Sequence, residues 1–312
     1  MAWNLAGKRI YVAGHKGMVG SAIVRRLDRE GCEILVSERS VDLREQAAVR
    51  EWFGANRPDI VILAAAKVGG IVANDSWPAD FLYDNLAIEN AIIHGAFETG
   101  IEKLLFLGSS CIYPKFATQP ITEDALLTGP LEPTNEWYAV AKIAGIKLCQ
   151  AYRRQHSCDF ISAMPTNLYG PGDNFDLTSS HVIPALMRKA HEAKANAAPS
   201  MTIWGTGTAR REFLHVDDCA SALIFLLKHY SGDSHVNVGS RSDVTIDELA
   251  QLVMQAVGFA GALEHDTSKP DGTPRKLMSN ARLAAMGWSP KIPLGEGLTS
   301  TYQWFLENRA AA

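Results

Sequence analysis

The sequence contains no apolar run long enough to cross a membrane. Its most apolar stretch, residues 60–73, is interrupted by Lys67, whereas a transmembrane helix needs about 20 consecutive apolar residues. Residues 1–8 lack the apolar core of a signal peptide, because Asn4 and Gly7 interrupt them. We therefore expect a cytoplasmic protein that does not associate with a membrane.

Cysteine and positive charge are also too sparse or too scattered for several classes of protein. The five cysteines are an odd number without a Cys-x-x-Cys pair, which predicts reduced thiols and no disulfide framework. The nine histidines show no spacing typical of metal ligands, so we expect no metal. The formal net charge is −4, and this balance argues against nucleic acid as a partner.

The chain has 312 residues, of which 47% are hydrophobic and 21% charged, a composition typical of globular proteins with a large core. In its first half, short β-branched runs alternate with longer segments of helical periodicity. This alternation predicts an α/β fold with a Rossmann-like, doubly wound parallel sheet. The predicted strands are residues 9–12, 33–36, 59–63 and 103–108.

The pattern changes near residue 170, where the elements become shorter and richer in proline and glycine. We place a cofactor-binding domain at residues 1–170. Residues 171–312 are expected to form a smaller C-terminal domain that binds mainly the substrate. Some later segments, such as about residues 213–240, could instead be part of the first domain.

A glycine-rich segment lies between the first predicted strand and the following helix. Residues 14–20 read Gly-His-Lys-Gly-Met-Val-Gly, and glycines there permit a tight turn and the close approach of a pyrophosphate to a helix N-terminus. An ordinary tight turn would explain spaced glycines equally well. The position inside the first βαβ unit favours dinucleotide binding.

Three charged residues bear on the choice of dinucleotide. Glu38 follows the second predicted strand, where an acid would hold the ribose hydroxyls of NAD. Arg39 comes next, and Lys16 lies within the glycine-rich segment; both could pair with the additional phosphate of NADP. Two cations against one acid favour NADP(H), although all three could be solvated loop charges.

A second motif is Tyr138-Ala139-Val140-Ala141-Lys142. At about 100° per residue, Tyr138 and Lys142 share one helix face. A nearby ammonium favours the phenolate and so suits the phenol to proton transfer. Alternatively, Tyr138 and Lys142 could simply be two neighbouring side chains on the protein surface. Ser109, at the end of the fourth predicted strand, favours catalysis, because parallel-sheet active sites open there and a serine can polarise a ketone.

These motifs resemble the extended short-chain dehydrogenase/reductase superfamily, and within it the epimerase-reductases that act on GDP-4-keto-6-deoxy-D-mannose. Further runs that carry the resemblance are Ser109-Ser110-Cys111-Ile112-Tyr113-Pro114 and Ser180-His181-Val182-Ile183-Pro184. The resemblance covers almost the whole chain. It implies NADPH-dependent 3,5-epimerisation followed by 4-keto reduction, which yields GDP-L-fucose, in a homodimer formed through helices of the first domain.

The resemblance also implies roles for individual residues. Ser109, Tyr138 and Lys142 would form the reductase triad, and Cys111 and His181 the acid–base pair of epimerisation. Lys189, Trp204, Arg211 and Asp271 would contact the GDP-sugar. NADP(H) would be bound by Gly14, His15, Lys16, Gly17, Met18, Val19, Gly20, Arg39, Asp42, Leu43, Ala64, Ala65, Leu107, Gly108, Ser109, Ser110, Lys142, Pro165, Thr166, Asn167, Leu168 and His181.

Several of these residues also have purely structural interpretations. Cys111 could pack as a small residue after a strand, and His181 could simply begin a helix. Trp204 could belong to the core, and one of the adjacent residues Arg210 and Arg211 could be solvated. Lys16 stands where the family often has arginine, so the charge is kept but bidentate phosphate binding is lost.

Two other functions remain open from the sequence. A sugar-nucleotide 4-epimerase or dehydratase would use the same cofactor without net reduction. A non-catalytic NADP-binding module would share the fold but would be expected to have a damaged triad. Ser109, Tyr138 and Lys142 are all present, which favours an enzyme.

Overall fold

The computed structural model describes residues 3–177, 179–269 and 271–308. Its largest element is a six-stranded parallel sheet with the strand order β2-β1-β3-β4-β5-β9. The predicted α/β fold with a parallel, doubly wound sheet is confirmed. The strands are β1 (Arg9–Ala13), β2 (Glu33–Leu35), β3 (Ile60–Leu63), β4 (Lys103–Leu107), β5 (Asp159–Pro165) and β9 (Val236–Val238).

Helices cover both faces of this sheet because its strands are apolar on both sides. Along β1, Ile10 and Val12 enter one core with α1 and α7, whereas Tyr11 and Ala13 enter the other with α2, α4 and α5. The two cores therefore fix the sheet from both sides. These helices are α1 (Met18–Leu27), α2 (Gln46–Asn56), α4 (Pro78–Glu98), α5 (Glu136–His156) and α7 (Val216–His229). A short helix, α3 (Ile71–Ser76), precedes α4 and contacts it.

A second, smaller layer contains the remaining strands and a third apolar core. Strand β8 pairs with β6, β10 and β12, and β7 pairs with β11. Helix α7 and strand β9 follow β8 in the chain but lie with the large sheet. The elements of this layer are β6 (Asn167–Tyr169), α6 (Val182–Ala195), β7 (Ser200–Trp204), β8 (Arg210–His215), β10 (Asp243–Thr245), α8 (Ile246–Val257), β11 (Ala262–Asp266), β12 (Arg275–Lys276) and α10 (Leu294–Glu307). Helix α9 (Ala281–Ala285) instead packs beside β9 of the large sheet.

Within the described ranges, no helix combines the length and the apolar character that a membrane span would need. The carboxyl ends of β1, β3, β4 and β5 adjoin one another in the sheet. In parallel α/β sheets, this edge is where ligands bind.

Candidate active site

The segment between β1 and α1 forms a tight turn at the carboxyl edge of the sheet. Gly14 has a φ of +87°, and a Cβ there would lie 2.7 Å from the backbone nitrogen of Ala65. Gly17 donates its backbone N–H to the Gly14 carbonyl at 3.0 Å and precedes the first turn of α1. Gly20 faces the Gly14 backbone too closely to admit a Cβ. The glycines therefore allow the tight packing of this turn, which leads directly into the N-terminus of α1, a position suited to an anion such as a pyrophosphate.

Other predicted cofactor-binding residues follow the neighbouring strands. Ala64 and Ala65 come directly after β3, and the Ala64 backbone N–H donates to the Ala13 carbonyl at 3.0 Å. The Asn167 side chain donates to the Glu212 carbonyl at 2.8 Å, which ties β6 to β8. These residues, and the two further groups that follow β4 and β5, lie at the carboxyl edge of the sheet beside the glycine-rich turn. Leu107, Gly108, Ser109 and Ser110 lie at the end of β4, and Pro165, Thr166, Asn167 and Leu168 lie at the end of β5 and in β6.

Two cations lie near one end of this edge. Lys16 and Arg39 are exposed and form no hydrogen bond or ion pair with any residue that the structure describes. Burial lowers the pKa of the nearby His15; Lys16 lowers it further and Glu38 opposes that change. Lys16 and Glu38 therefore both lie close to His15. The two cations remain available for a phosphate group.

Asp42 is engaged with another side chain. Its carboxylate binds the Arg44 guanidinium at 2.7 Å, and the hydrogen bonds from Arg44 lower the pKa of Asp42 to about 2. Arg44 also pairs with Asp84 at 3.1 Å. Leu43, the other predicted residue here, packs partly against the core. The Asp42 carboxylate is therefore already satisfied by protein.

Ser109 and Cys111 lie together just after β4. Ser109 begins a short 3₁₀ helix at residues 110–112, and its hydroxyl accepts a hydrogen bond from the Cys111 backbone N–H at 3.4 Å. Only 6% of Cys111 is exposed. Burial raises the pKa of its thiol, whereas the charge of Lys276 and a hydrogen bond with Ser109 oppose that rise. The thiol is therefore close to both Ser109 and Lys276.

Tyr138 and Lys142 face this pair from α5. The Lys142 Nζ lies 5.7 Å from the centroid of the Tyr138 ring and 4.8 Å from that of Phe106 on β4. Burial raises the pKa of the Tyr138 phenol well above its usual value, and negative charge on Cys111 or Glu89 would raise it further. The structure thus brings Ser109, Cys111, Tyr138 and Lys142 to one place.

Glu89 on α4 is a residue that the sequence analysis did not select. Its Oε1 lies 3.0 Å from the Lys142 Nζ, and the two side chains are 1% and 2% exposed. A Cβ at Gly145 would lie 2.7 Å from the Glu89 Oε2 and 2.5 Å from Phe106. Glycine within a helix costs about 0.5–1 kcal/mol relative to alanine, and here it makes room for the carboxylate. The signal for Glu89 was an acid inside an otherwise apolar helical face.

His181 precedes the first turn of α6, and its side chain forms no capping hydrogen bond. His181 is an exposed residue, and partial burial of its ring lowers the pKa of the imidazole. The preceding residues 179–180 lie against Gly70, whose backbone N–H donates to the Ser179 carbonyl at 3.2 Å. Helix α3 in turn contacts residues 133–135, which lead into α5. His181 is therefore connected to the Tyr138 region through α3.

A separate group of residues surrounds the exposed ring of Trp204, at the end of β7. The ring is 60% exposed. The Nζ atoms of Lys189 and Lys269 lie 5.6 Å and 5.7 Å from its centroid. Burial lowers the pKa of Lys189, although the charge of Asp266 opposes that change. Sequence reasoning had selected Lys189 and Trp204, but Lys269 was not among the candidates.

Arg211 and Asp271 are held by backbone and loop groups. The Arg211 guanidinium donates to the Thr273 carbonyl at 2.5 Å. The Asp271 carboxylate accepts two hydrogen bonds from Thr206, from its backbone N–H at 2.9 Å and from its hydroxyl at 2.8 Å. Asp271 therefore orders the loop that follows Trp204. Of the residues described, no group of three or more His, Cys, Asp or Glu side chains is arranged to hold a metal ion.

Comparison with known proteins identifies a family model and several relatives that match this chain. A model of the NAD dependent epimerase/dehydratase family matches residues 10–239. The chain is 62% identical over 307 residues to a GDP-L-fucose synthase of Sinorhizobium fredii, with 98% of each chain covered. It is 54% identical over 316 residues to a GDP-L-fucose synthase of Escherichia coli, again with 98% of each chain covered.

A solved structure is similar over the same extent. The crystal structure of a GDP-L-fucose synthetase from Naegleria fowleri bound to NADP superposes with a TM-score of 0.92 at 31% identity. The match covers 100% of the present chain and 98% of that chain. The similarity therefore spans both the large parallel sheet and the smaller layer.

Proposed function

The chain belongs to the NAD-dependent epimerase/dehydratase family, and we propose that its activity is that of a GDP-L-fucose synthase. It converts GDP-4-keto-6-deoxy-D-mannose into GDP-L-fucose by 3,5-epimerisation and NADPH-dependent reduction of the 4-ketone. The observation that carries this proposal is the high identity to relatives of that name over nearly the whole length. The identity includes both the cofactor edge and the smaller layer, where a nucleotide-sugar would bind.

NADP(H) is the cofactor, and the carboxyl edge of the sheet fits it. Glycines at 14 and 20 allow the turn to pack closely against the segment after β3 and against α1, where a Cβ would collide with backbone, and a dinucleotide-binding turn needs this close packing beside the pyrophosphate. Lys16 and Arg39 would hold the additional phosphate, since neither has a partner in the described part of the chain. When bound, the reduced cofactor supplies the hydride for C4. Asp42 contributes through its backbone, because Arg44 occupies its carboxylate.

Three side chains take part in the reduction of the 4-ketone in this proposal. Ser109 donates a hydrogen bond to the carbonyl oxygen, and the Tyr138 phenol delivers a proton to it. Burial favours the protonated phenol, which is the form that a general acid needs before the reduction. Lys142 supplies positive charge and holds the nicotinamide ribose through its N–H groups.

Epimerisation is assigned to Cys111 and His181. The 4-ketone acidifies the protons at C3 and C5, and Ser109 and Tyr138 can stabilise the resulting enolate oxygen. Inversion requires removal of a proton from one face and its return to the other. A thiol next to Lys276 and an exposed imidazole are suited to these two tasks. The position of Cys111 beside Ser109 and Tyr138 supports the assignment, and His181 is connected to the Tyr138 region through α3.

The nucleotide end of the substrate is assigned to the smaller layer. The exposed ring of Trp204 offers a surface for stacking a base, and Lys189 and Arg211 supply positive charge for the diphosphate. Asp271 acts by fixing the loop after Trp204 through Thr206. We assign this GDP-binding role to the group as a whole.

We further propose a cytoplasmic homodimer. The exposed side chains of Tyr83, Trp137 and Val140 lie on α4 and α5, which pack against each other. Exposed apolar surface of this kind favours association. The five cysteines are free, as is typical of proteins in a reducing compartment such as the cytoplasm. Sedimentation velocity of the purified protein tests the dimer.

The activity is tested with purified protein, NADPH and GDP-4-keto-6-deoxy-D-mannose. We expect one NADPH to be oxidised for each GDP-L-fucose formed, with the product identified by nuclear magnetic resonance. A 4-epimerase would instead interconvert sugars without net oxidation of NADPH. A binding protein would leave both compounds unchanged.

A further inference from the structure

The ion pair between Glu89 and Lys142 joins two helices inside the core. Glu89 lies on α4 and Lys142 on α5, and the distance between Oε1 and Nζ is 3.0 Å. In the described part of the chain, neither oxygen of the carboxylate has a hydrogen bond of good geometry. Lys142 is therefore the cationic partner of this buried carboxylate.

The surrounding residues make room for this arrangement. Gly145 lies one turn after Lys142 on α5, and a Cβ there would collide with Glu89 Oε2 and with Phe106. The Phe106 ring lies 4.8 Å from the Lys142 Nζ and supports the ammonium from the β4 side. An apolar pair would fill the core without a buried charge. The presence of a buried carboxylate here therefore indicates that its role is to hold the Lys142 ammonium in place.

We propose that Glu89 is a positioning residue for the reduction: its carboxylate fixes the Lys142 ammonium and keeps the Tyr138 phenol in its acid form. The inference rests on the proposed function, in which Tyr138 supplies a proton to the ketone. It adds a residue on a second helix to the three that act on the substrate and cofactor.

The geometry explains how one carboxylate serves both tasks. An ammonium has three N–H donors; the ion pair with Glu89 at 3.0 Å fixes its position, and N–H groups remain for the hydroxyls of a ribose. The negative charge of Glu89 also offsets the positive charge beside Tyr138. A nearby negative charge disfavours loss of a proton, so the phenol stays protonated until the ketone takes its proton.

Other titratable groups also surround the pair. Cys111 faces Tyr138 and Lys142 from the segment after β4. Cys149, which is on α5, lies close to Glu89. Burial raises the pKa of the Glu89 carboxyl, and the Lys142 ammonium opposes that rise. Glutamine is nearly isosteric with glutamate but uncharged. Glu89→Gln therefore tests specifically for the charge.

The test measures kcat and KM for NADPH in the reduction as a function of pH. Loss of the negative charge makes the proton leave the Tyr138 phenol more easily. In Glu89→Gln, the basic limb of the kcat/KM profile should move down by about one pH unit or more. The KM for NADPH should rise, and kcat/KM at neutral pH should fall about tenfold.

Two control variants isolate the effect. Glu89→Asp keeps the charge, so its basic limb should stay closer to that of the wild type than the limb of Glu89→Gln does. Glu123→Gln removes another buried carboxylate, 6% exposed, which lies outside the machinery described above. It should leave the basic limb in place. A purely structural role of Glu89 would lower stability without moving the limb.

The outcomes distinguish the inference from the proposed function. If the wild type does not reduce the ketone, the proposed function is wrong. If the wild type is active but Glu89→Gln has an unchanged limb and an unchanged KM for NADPH, the inference is overturned. If Glu89→Gln is too unstable for kinetics, the melting temperatures of Glu89→Gln, Lys142→Met and the double variant are compared with that of the wild type.

Removing one partner of a buried pair leaves an unpaired charge, whereas removing both does not. The double variant should therefore melt at a higher temperature than Glu89→Gln. Additive losses of stability would show that the two side chains are not coupled and would overturn the inference.

Discussion

The Ser109 hydroxyl accepts a hydrogen bond from the backbone N–H of Cys111 at 3.4 Å. This contact fixes the short helix after β4 that carries Cys111. A residue assigned to the reduction and a residue assigned to the epimerisation are thereby held in one small structure. The same hydroxyl is proposed to bind the ketone oxygen in both reactions, so one site can perform both.

Replacing the proposed acid–base pair should separate the two reactions. Cys111→Ser or His181→Asn should reduce deuterium incorporation from solvent at C3 and C5 by about 10²-fold or more, because each removes one proton-transfer group. Reduction of the un-inverted ketone should persist and give a different 6-deoxyhexose. Mass spectrometry and nuclear magnetic resonance of the product measure both effects. Wild-type exchange rates in both variants would mean that the two residues are structural.

The phenol of Tyr138 is the proposed proton donor in the reduction. Tyr138→Phe keeps the ring but removes the proton, so ketone reduction should slow by about 10²-fold or more. NADPH binding, measured by fluorescence titration, should be retained, because the phenol does not contact the phosphates. Near-normal turnover of this variant would require a different acid.

The preference for NADPH should depend on Arg39. Arg39→Ala removes a cation that has no partner among the described residues. The KM for NADPH should rise about tenfold or more, whereas that for NADH should change little, because NADH lacks the phosphate. Arg29→Ala, at another charged surface position, serves as a control. Equal losses with the two cofactors would argue against the assignment.

Asp173 should make stability depend on pH. Its Oδ2 is buried without a hydrogen-bond partner in the described structure, and burial raises the pKa of the carboxyl from 3.8 to about 7. Between these values the native state binds more protons than the unfolded chain, so the free energy of unfolding should fall as pH rises. Asp173→Asn should reduce the decrease between pH 5 and pH 8 by about 2–4 kcal/mol, as measured by chemical denaturation. An unchanged slope would contradict this account.

Much of the fold follows from local patterns in the sequence. Short apolar runs predict strands such as β3 and β4, and the glycines at 14, 17 and 20 predict the turn before α1. The spacing of Tyr138 and Lys142 predicts a shared helix face. Each of these depends on neighbouring residues, for which periodicity and backbone sterics are sufficient.

The partners of the charged side chains could not be predicted in the same way. Glu89 meets Lys142 only because α4 packs against α5, and Asp271 meets Thr206 across 65 residues of sequence. Periodicity determines which face of a helix is buried but does not identify the helix opposite. Even Asp42 was selected without its partner Arg44, since an exposed salt bridge leaves no mark in an apolar pattern.

The central claim is that one site both inverts C3 and C5 and reduces C4. The most direct test incubates the wild-type protein with GDP-4-keto-6-deoxy-D-mannose and NADPH in deuterium oxide and determines the labelled positions of the product. The account predicts GDP-L-fucose with solvent deuterium at C3 and C5, protium from NADPH at C4, and one NADPH oxidised per product. A reduced sugar without deuterium at C3 and C5, or deuterium exchange without oxidation of NADPH, would contradict it.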